Sequence, residues 1–249
     1  MNMTLKVGLA AAVVAVAALI GINYLAEPRV GGPGPAESTA VATPEPTATP
    51  EPSRAPEGNL AAGDTFNLSL PQYPIVINVT IPSADWSGDP GGGVLVIDDA
   101  DPPGGAGIIT FIDPGYYVYG DPCQWSTTRP DTPSTTVDEL VEALSAQASR
   151  DASAPVDITL DGYAGKSLTL HVPDDAVFAE CDEGTFSSWG VEGEDPARYH
   201  QGPGQIDEVW ILDVDGHLVV IDWAYYERTP QAVVDELRAI VESITFEAP

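Results

Sequence analysis

The stretch IDEVWILDVDGHLVVIDW (206–223) reads as two strands around a turn. Its halves, 206–214 and 217–223, are rich in β-branched and aromatic residues, and Asp215-Gly216 sits between them. Asp-Gly favours a primed two-residue turn, whose twist matches that of the strands it joins. The segment therefore predicts a β-hairpin. Upstream, 156–160 and 166–172 flank Asp161-Gly162-Tyr163-Ala164-Gly165 in a second hairpin pattern. Consecutive hairpins build antiparallel sheets, whereas parallel pairing needs long crossovers.

Working outward, 65–70 and 75–81 alternate apolar and polar residues, and 94–97, 108–112 and 116–119 are short β-prone runs bounded by Pro and Gly. Residues 98–107 (DDADPPGGAG) read as a polar loop. A helix is predicted from about 134 to 148. Thr135 with Asp138 and Thr136 with Glu139 supply its cap and its early negative charge, and Leu140, Val141, Leu144 and Ala148 its apolar stripe. A last helix follows Thr229-Pro230, with Val233, Val234, Leu237, Ile240 and Val241 at helical spacing, and 243–247 reads as an edge strand. Strands, helix, strands, helix define an α+β fold: a single antiparallel-sheet domain with two main helices over 64–249.

Two segments precede that domain. Residues 7–26 (VGLAAAVVAVAALIGINYLA) are uncharged throughout. About 20 helical residues span a hydrocarbon core of ~30 Å. Secretory signals have shorter cores and a small-x-small cleavage site; here Asn23 precedes Tyr24, and no Cys lies near the run for lipid attachment. An uncleaved anchor over 1–29 is therefore preferred to a cleaved signal. Lys6 before the run predicts a cytoplasmic N-terminus, which places the head outside a single-pass cell membrane. Residues 30–63 are dense in Pro, Thr and Glu and read as a disordered stalk. In polyproline II form, about 33 residues at ~3.1 Å each reach at most ~100 Å.

The chain carries 9 Lys+Arg against 38 Asp+Glu, a net charge of −29. Such a surface repels nucleic acid and anionic lipid, so nucleic acid is excluded as a partner. A halophile-type solvating surface is the other reading of this acidity. Cys123 and Cys181 are the only thiols. In an oxidising compartment they are expected to pair; in a cytosolic protein they would be two buried thiols. Their spacing does not suit zinc.

VTIPSADW (79–86), a strand leading into Pro and then Trp, resembles the opening of Mog1/PsbP-like α/β/α sandwich domains, and the closing helix with VESITFE (241–247) is similar to their end. The likeness spans about 64–247 and departs from the pattern in Gly/Pro/Asp-rich insertions near 87–93 and 98–107. The whole layout also resembles membrane-anchored extracytoplasmic proteins from high-GC bacteria, including the outer parts of anti-sigma-type proteins, although no sigma-binding or zinc-binding segment is present. These resemblances imply a non-catalytic accessory, binding or sensing domain.

No G-x-S-x-G elbow, H-E-x-x-H or P-loop occurs, and no cofactor is implied. Asp213 and Asp215 fit a hairpin turn better than an EF-hand, since Gly216 comes too early; Asp98, Asp99 and Asp101 could contact Ca²⁺ or simply be solvated. No metal ligand set is assigned. Trp125 follows Cys123, and Trp189 follows Cys181. With Tyr199 and His200 they could line a small-molecule or peptide cleft held by the bridge, or pack around it as satellite core. The expectation is a membrane-tethered binding or interaction module with an unidentified protein, peptide or small-molecule partner. The alternatives are a tethered hydrolase using His200 with a carboxylate, or a Ca²⁺-stabilised surface domain.

Overall fold

Gln205–Val214 and His217–Tyr226 pair antiparallel in unbroken register, and the turn residues Asp215 and Gly216 have φ of 53° and 86°. Both central positions are left-handed, as a primed turn requires. Asp161 and Gly162 repeat this at 49° and 86°, so the second turn is tighter than the five residues expected.

The computed structural model describes residues 53–54, 58–68, 74–88, 94–97 and 105–247. The expected anchor, most of the stalk and Asp98, Asp99 and Asp101 lie outside the described residues. No described helix is long and apolar enough to cross a membrane. The first strands are β1 (Ser53–Arg54), β2 (Gly58–Asn59), β3 (Thr65–Asn67), β4 (Val76–Thr80), β5 (Ser87–Gly88), β6 (Val94–Ile97), β7 (Ala106–Ile112) and β8 (Tyr117–Val118). Helices α1 (Trp125–Thr128) and α2 (Val137–Ser145) follow. Then come β9 (Val156–Leu160), β10 (Tyr163–His171), β11 (Ser187–Val191), β12 (Glu194–Tyr199), β13 (Gln205–Val214) and β14 (His217–Tyr226). Helix α3 (Gln231–Glu242) and β15 (Thr245–Glu247) close the chain.

Among the described residues these strands form a central eight-stranded sheet, ordered β2-β5-β6-β7-β14-β13-β10-β9 and antiparallel throughout. A four-stranded sheet (β1-β3-β4-β15) and a three-stranded sheet (β12-β11-β8) accompany it. The described residues are mostly β with three α-helices, an α+β arrangement.

Period-two alternation in β13 and β14 separates two cores. Leu212, Val214, Val219, Ile221 and Trp223 pack with Ile77 and Val79 of β4 and with Val234, Leu237, Ile240 and Val241 of α3. Val209, Ile211, Leu218 and Val220 pack on the other face with Leu140, Val141 and Leu144 of α2 and with Trp189 of β11. Burying each such aliphatic side chain contributes about 1.5–3 kcal/mol against the loss of chain entropy.

Helix α2 begins as read: the Thr136 hydroxyl accepts from the Glu139 N–H at 3.2 Å, and the Glu139 carboxylate accepts from the Thr135 N–H at 2.9 Å. It ends at Ser145, short of 148, and Ala148 is exposed. Ser149 and Asp151 take positive φ of 61° and 43°, turning the chain so that Gln147 and Arg150 enter the interior. Two strands fall inside the stretch expected as stalk: β1 pairs with β3, β2 pairs with β5, and Leu60 beside them is buried.

Cys123 and Cys181 form a disulfide across a separation of 58 residues. Closing such a loop is worth at most ~4 kcal/mol by chain entropy. The bridge packs with Val172, Phe178 and Phe186, and the Asp182 N–H donates to the Cys123 carbonyl at 2.9 Å.

Gly165 pairs with Leu212 where β10 meets β13, and a Cβ there would overlap the Ile211 carbonyl oxygen. Gly165→Ala must push the two strands apart. A loss of about 1–3 kcal/mol is expected by urea denaturation; unchanged stability would mean that the strands are spaced more widely here.

Candidate functional site

The most concentrated chemistry lies inside the second core, between the central sheet and the β11–β12 hairpin. Asp207 on β13 and Asp222 on β14 face that side, and both side chains are fully buried. Sequence periodicity alone would have put apolar residues there. Arg150, released by the turn after α2, and Arg198 on β12 descend from the opposite side.

Asp207 is the hub. Its Oδ2 accepts from Arg150 Nη2 at 2.5 Å and faces His200 Nδ1 at 3.2 Å. Its Oδ1 accepts from Gln205 Nε2 at 2.6 Å and Arg198 Nη2 at 2.9 Å. Arg198 Nε also donates to Asp222 Oδ2 at 2.6 Å. Arg150 uses its remaining donors on the His171 carbonyl at 2.9 Å and the Ser188 hydroxyl at 2.5 Å. Two guanidiniums and two carboxylates thus share one dry pocket with no net charge when all are ionised.

His200 lies across this cluster. Arg150 Nη1 and Ser188 Oγ approach its Nε2 at 2.9 and 2.8 Å. An arginine can only donate, so Nε2 accepts and the ring proton sits on Nδ1, toward Asp207. Burial, helped by the two guanidiniums, pushes the His200 pKa down to about 3 against the pull of Asp207. Ser188, His200 and Asp207 therefore stand in the order of a hydrolase triad. All three are sealed from solvent, with exposures of 0 %, 5 % and 0 %, and the ring is a poor proton acceptor.

The two aspartates diverge. Burial raises the Asp207 pKa, but His200, Arg198 and Arg150 outweigh it and hold the carboxyl well below its ordinary range. Asp222 has one charged donor, and its Oδ1 has no hydrogen-bond partner among the described residues. Burial dominates there, aided by the nearby Asp207 charge, and pushes Asp222 up to about 6 despite Arg198.

Of the residues singled out from sequence, Trp125 and Trp189 are packed in the interior. Trp125, in α1, is buried against Tyr119, and its indole N–H donates to the Asp182 carbonyl at 3.0 Å. Trp189 belongs to β11 rather than a loop, and sits edge-on to Phe111 and Tyr116. Tyr199 ends β12 and is 54 % exposed. His200 is the one of the four in the polar cluster. The other members of the cluster, Ser188, Arg150, Arg198, Asp207 and Asp222, were missed, because a charged or polar residue in sequence reads as solvated. The one available signal was Asp207 and Asp222 interrupting β-prone runs at the far ends of a hairpin.

Asp213 Oδ1 accepts from the Gly216 N–H at 2.8 Å, which is a turn contact. Among the described residues, no three His, Cys, Asp or Glu side chains gather to hold a metal. Two open depressions, of about 270 and about 260 Å³, flank the β13–β14 turn.

No family model and no curated protein matches the chain. Solved structures that resemble it include a protein of Bacteroides thetaiotaomicron VPI-5482, 13% identical with a TM-score of 0.34. That match covers 75% of this chain and 48% of the other, so this chain spans about half of that protein. LpqN of Mycobacterium tuberculosis, described as involved in cell envelope biogenesis, is 13% identical over 75% of this chain and 91% of its own, with a TM-score of 0.37. Cyanobacterial PsbP (CyanoP) of Synechocystis sp. PCC 6803 is 14% identical over 76% and 95%, with a TM-score of 0.33. No function is taken from likenesses at this level.

Asp222 makes stability depend on pH. Its folded pKa of about 6 lies above the ordinary 3.8, so it contributes stability that is complete below about pH 4 and lost as the pH rises through 6. Asp207 acts oppositely, losing its contribution only in strong acid. Urea denaturation should show Asp222→Asn losing less stability than wild type between pH 5 and pH 8, by about 1.4 kcal/mol. Parallel losses would remove Asp222 as the source.

Proposed function

We propose that this chain is a membrane-tethered extracytoplasmic binding module whose head does no catalysis. The observation that carries the reading is that Ser188, His200 and Asp207, the one catalytic-looking set, are enclosed with two arginines in the join between layers. Acyl transfer would need a carbonyl carbon about 3 Å from the Ser188 oxygen and an oxyanion site beside it. No surface leads there, since Arg150, Ser187, Ser188 and Asp207 are fully buried. The tether is supported by the uncharged run at 7–26, the Pro-rich segment after it, and a disulfide of the kind that persists in oxidising compartments. The partner is a protein, peptide or small molecule, and nucleic acid is disfavoured by the charge of −29.

A tethered hydrolase is the second reading, favoured by the distances of 2.8 Å from Ser188 to His200 and 3.2 Å from His200 to Asp207. Treating the full-length chain in detergent micelles with a fluorophosphonate probe separates the two. Peptide mass analysis is expected to show Ser188 unmodified. Modification of Ser188 that His200→Ala abolishes, with circular dichroism unchanged, would transfer the assignment to the hydrolase.

A further inference from the structure

A depression of about 270 Å³ opens between the end of β15 and the β13–β14 turn. Its floor is apolar and firmly held: Ile75, Val214 and Phe246 are all buried members of the first core. Tyr163 stands edge-on to Phe246, with ring centroids 5.6 Å apart, and forms an aromatic wall. The exposed carboxylates of Asp215 and Glu247 lie on the rim.

Both carboxylates are positioned but not neutralised. The Tyr163 hydroxyl donates to Asp215 Oδ2 at 3.0 Å, and Asn78 Nδ2 donates to Glu247 Oε1 at 3.0 Å. Neither enters an ion pair among the described residues, and no lysine or arginine lines the depression. Among the described residues, the lining group able to carry positive charge is the exposed His217.

An apolar floor, an aromatic wall and uncompensated carboxylates at the mouth match a cation on an apolar stem. Arginine and lysine side chains have that form: the methylenes cover apolar surface while the head meets ring faces and carboxylates. We infer that this groove docks a basic segment of a partner protein, with an arginine or lysine side chain seated between Tyr163 and the carboxylates of Asp215 and Glu247. This rests on the binding-module reading and gives it a site and a ligand class. Charge complementarity also extends past the groove, because a chain at −29 draws cationic partners from a distance and repels anionic ones.

The test uses the full-length chain in nanodiscs of zwitterionic lipid. The probe is a fluorescein-labelled octapeptide alternating arginine and leucine, read by anisotropy. Asp215→Asn/Glu247→Gln keeps the acceptor oxygens for Tyr163 and Asn78, and asparagine tolerates the positive φ at 215. It should weaken binding roughly tenfold, as two lost ion pairs imply. Asp175→Asn/Glu180→Gln removes the same charge elsewhere and should change affinity less than about twofold. An arginine–serine octapeptide of equal charge should bind more weakly than the arginine–leucine one. Absent binding, equal weakening by both variants, or equal affinity of the two peptides would overturn the groove. Photo-crosslinking in native membranes separates this from failure of the wider reading. A partner captured equally by wild type and Asp215→Asn/Glu247→Gln overturns the groove alone, whereas no adduct from wild type counts against a binding module.

Discussion

A single carboxylate, that of Asp207, holds the second half of this molecule in place. It projects from an interior strand of the central sheet and receives Arg150, Arg198, Gln205 and His200. Arg150 lies 57 residues away in sequence, just after α2; Arg198 comes from the β11–β12 hairpin. Without Asp207, Arg150 would lose the carboxylate it pairs with in a region where it is fully buried. A buried charge deprived of its partner costs about 3–5 kcal/mol, a large part of an ordinary domain's stability. The early stop of α2 and the placement of the β11–β12 hairpin both follow from bringing these arginines to one acid.

The apolar contacts and the polar cluster divide the work of joining layers. Val209, Ile211, Leu218 and Val220 bury area against α2 and Trp189, but apolar attraction is non-directional and tolerates a small slide between surfaces. The cluster does not. A shift of β12 by one residue would turn Arg198 to the opposite face, take one donor from Asp207 and leave Asp222 without its charged partner. The apolar faces thus supply most of the driving force, and the ion pairs select one register. Asp222 shows what this selection costs, since its Oδ1 has no hydrogen-bond partner among the described residues.

Local chemistry was legible in the sequence. Asp215-Gly216 announced its hairpin because only a few residue pairs accept two left-handed positions in a row. Thr136 and Glu139 announced the start of α2, and the apolar spacing after Pro230 announced α3. The cysteine pair was legible because two thiols allow one partner each. The end of α2 was not, since no glycine or proline marks it; Ser149 and Asp151 adopt positive φ there on either side of the buried Arg150. The β11–β12 hairpin was equally hidden, its sequence (SSWGVEGEDPARY) carrying no clear strand alternation while its sheet partner lies in β8. Trp189 and His200 drew attention for their chemistry, but what surrounds them is set by contacts distant in sequence.

The polar core also shapes the surface. Of nine basic residues, Arg150 and Arg198 are interior and balanced by Asp207 and Asp222, so the net charge of −29 falls entirely outside that cluster. Arg129 is occupied by Asp195 and the Tyr117 ring, and Lys166 by Asp157 and Asp138. Few positive charges remain to break up the negative field, which reaches about 8 Å at physiological salt. Neighbouring carboxylates on such a surface repel one another, and a cationic partner relieves that repulsion wherever it lands. Relief alone cannot choose a place, because it is available over the whole surface. Choice requires a spot where the same cation also gains apolar and aromatic contact. The depression beside the Asp215-Gly216 turn offers both, as Tyr163, Phe246 and Ile75 lie within it and two carboxylates border it.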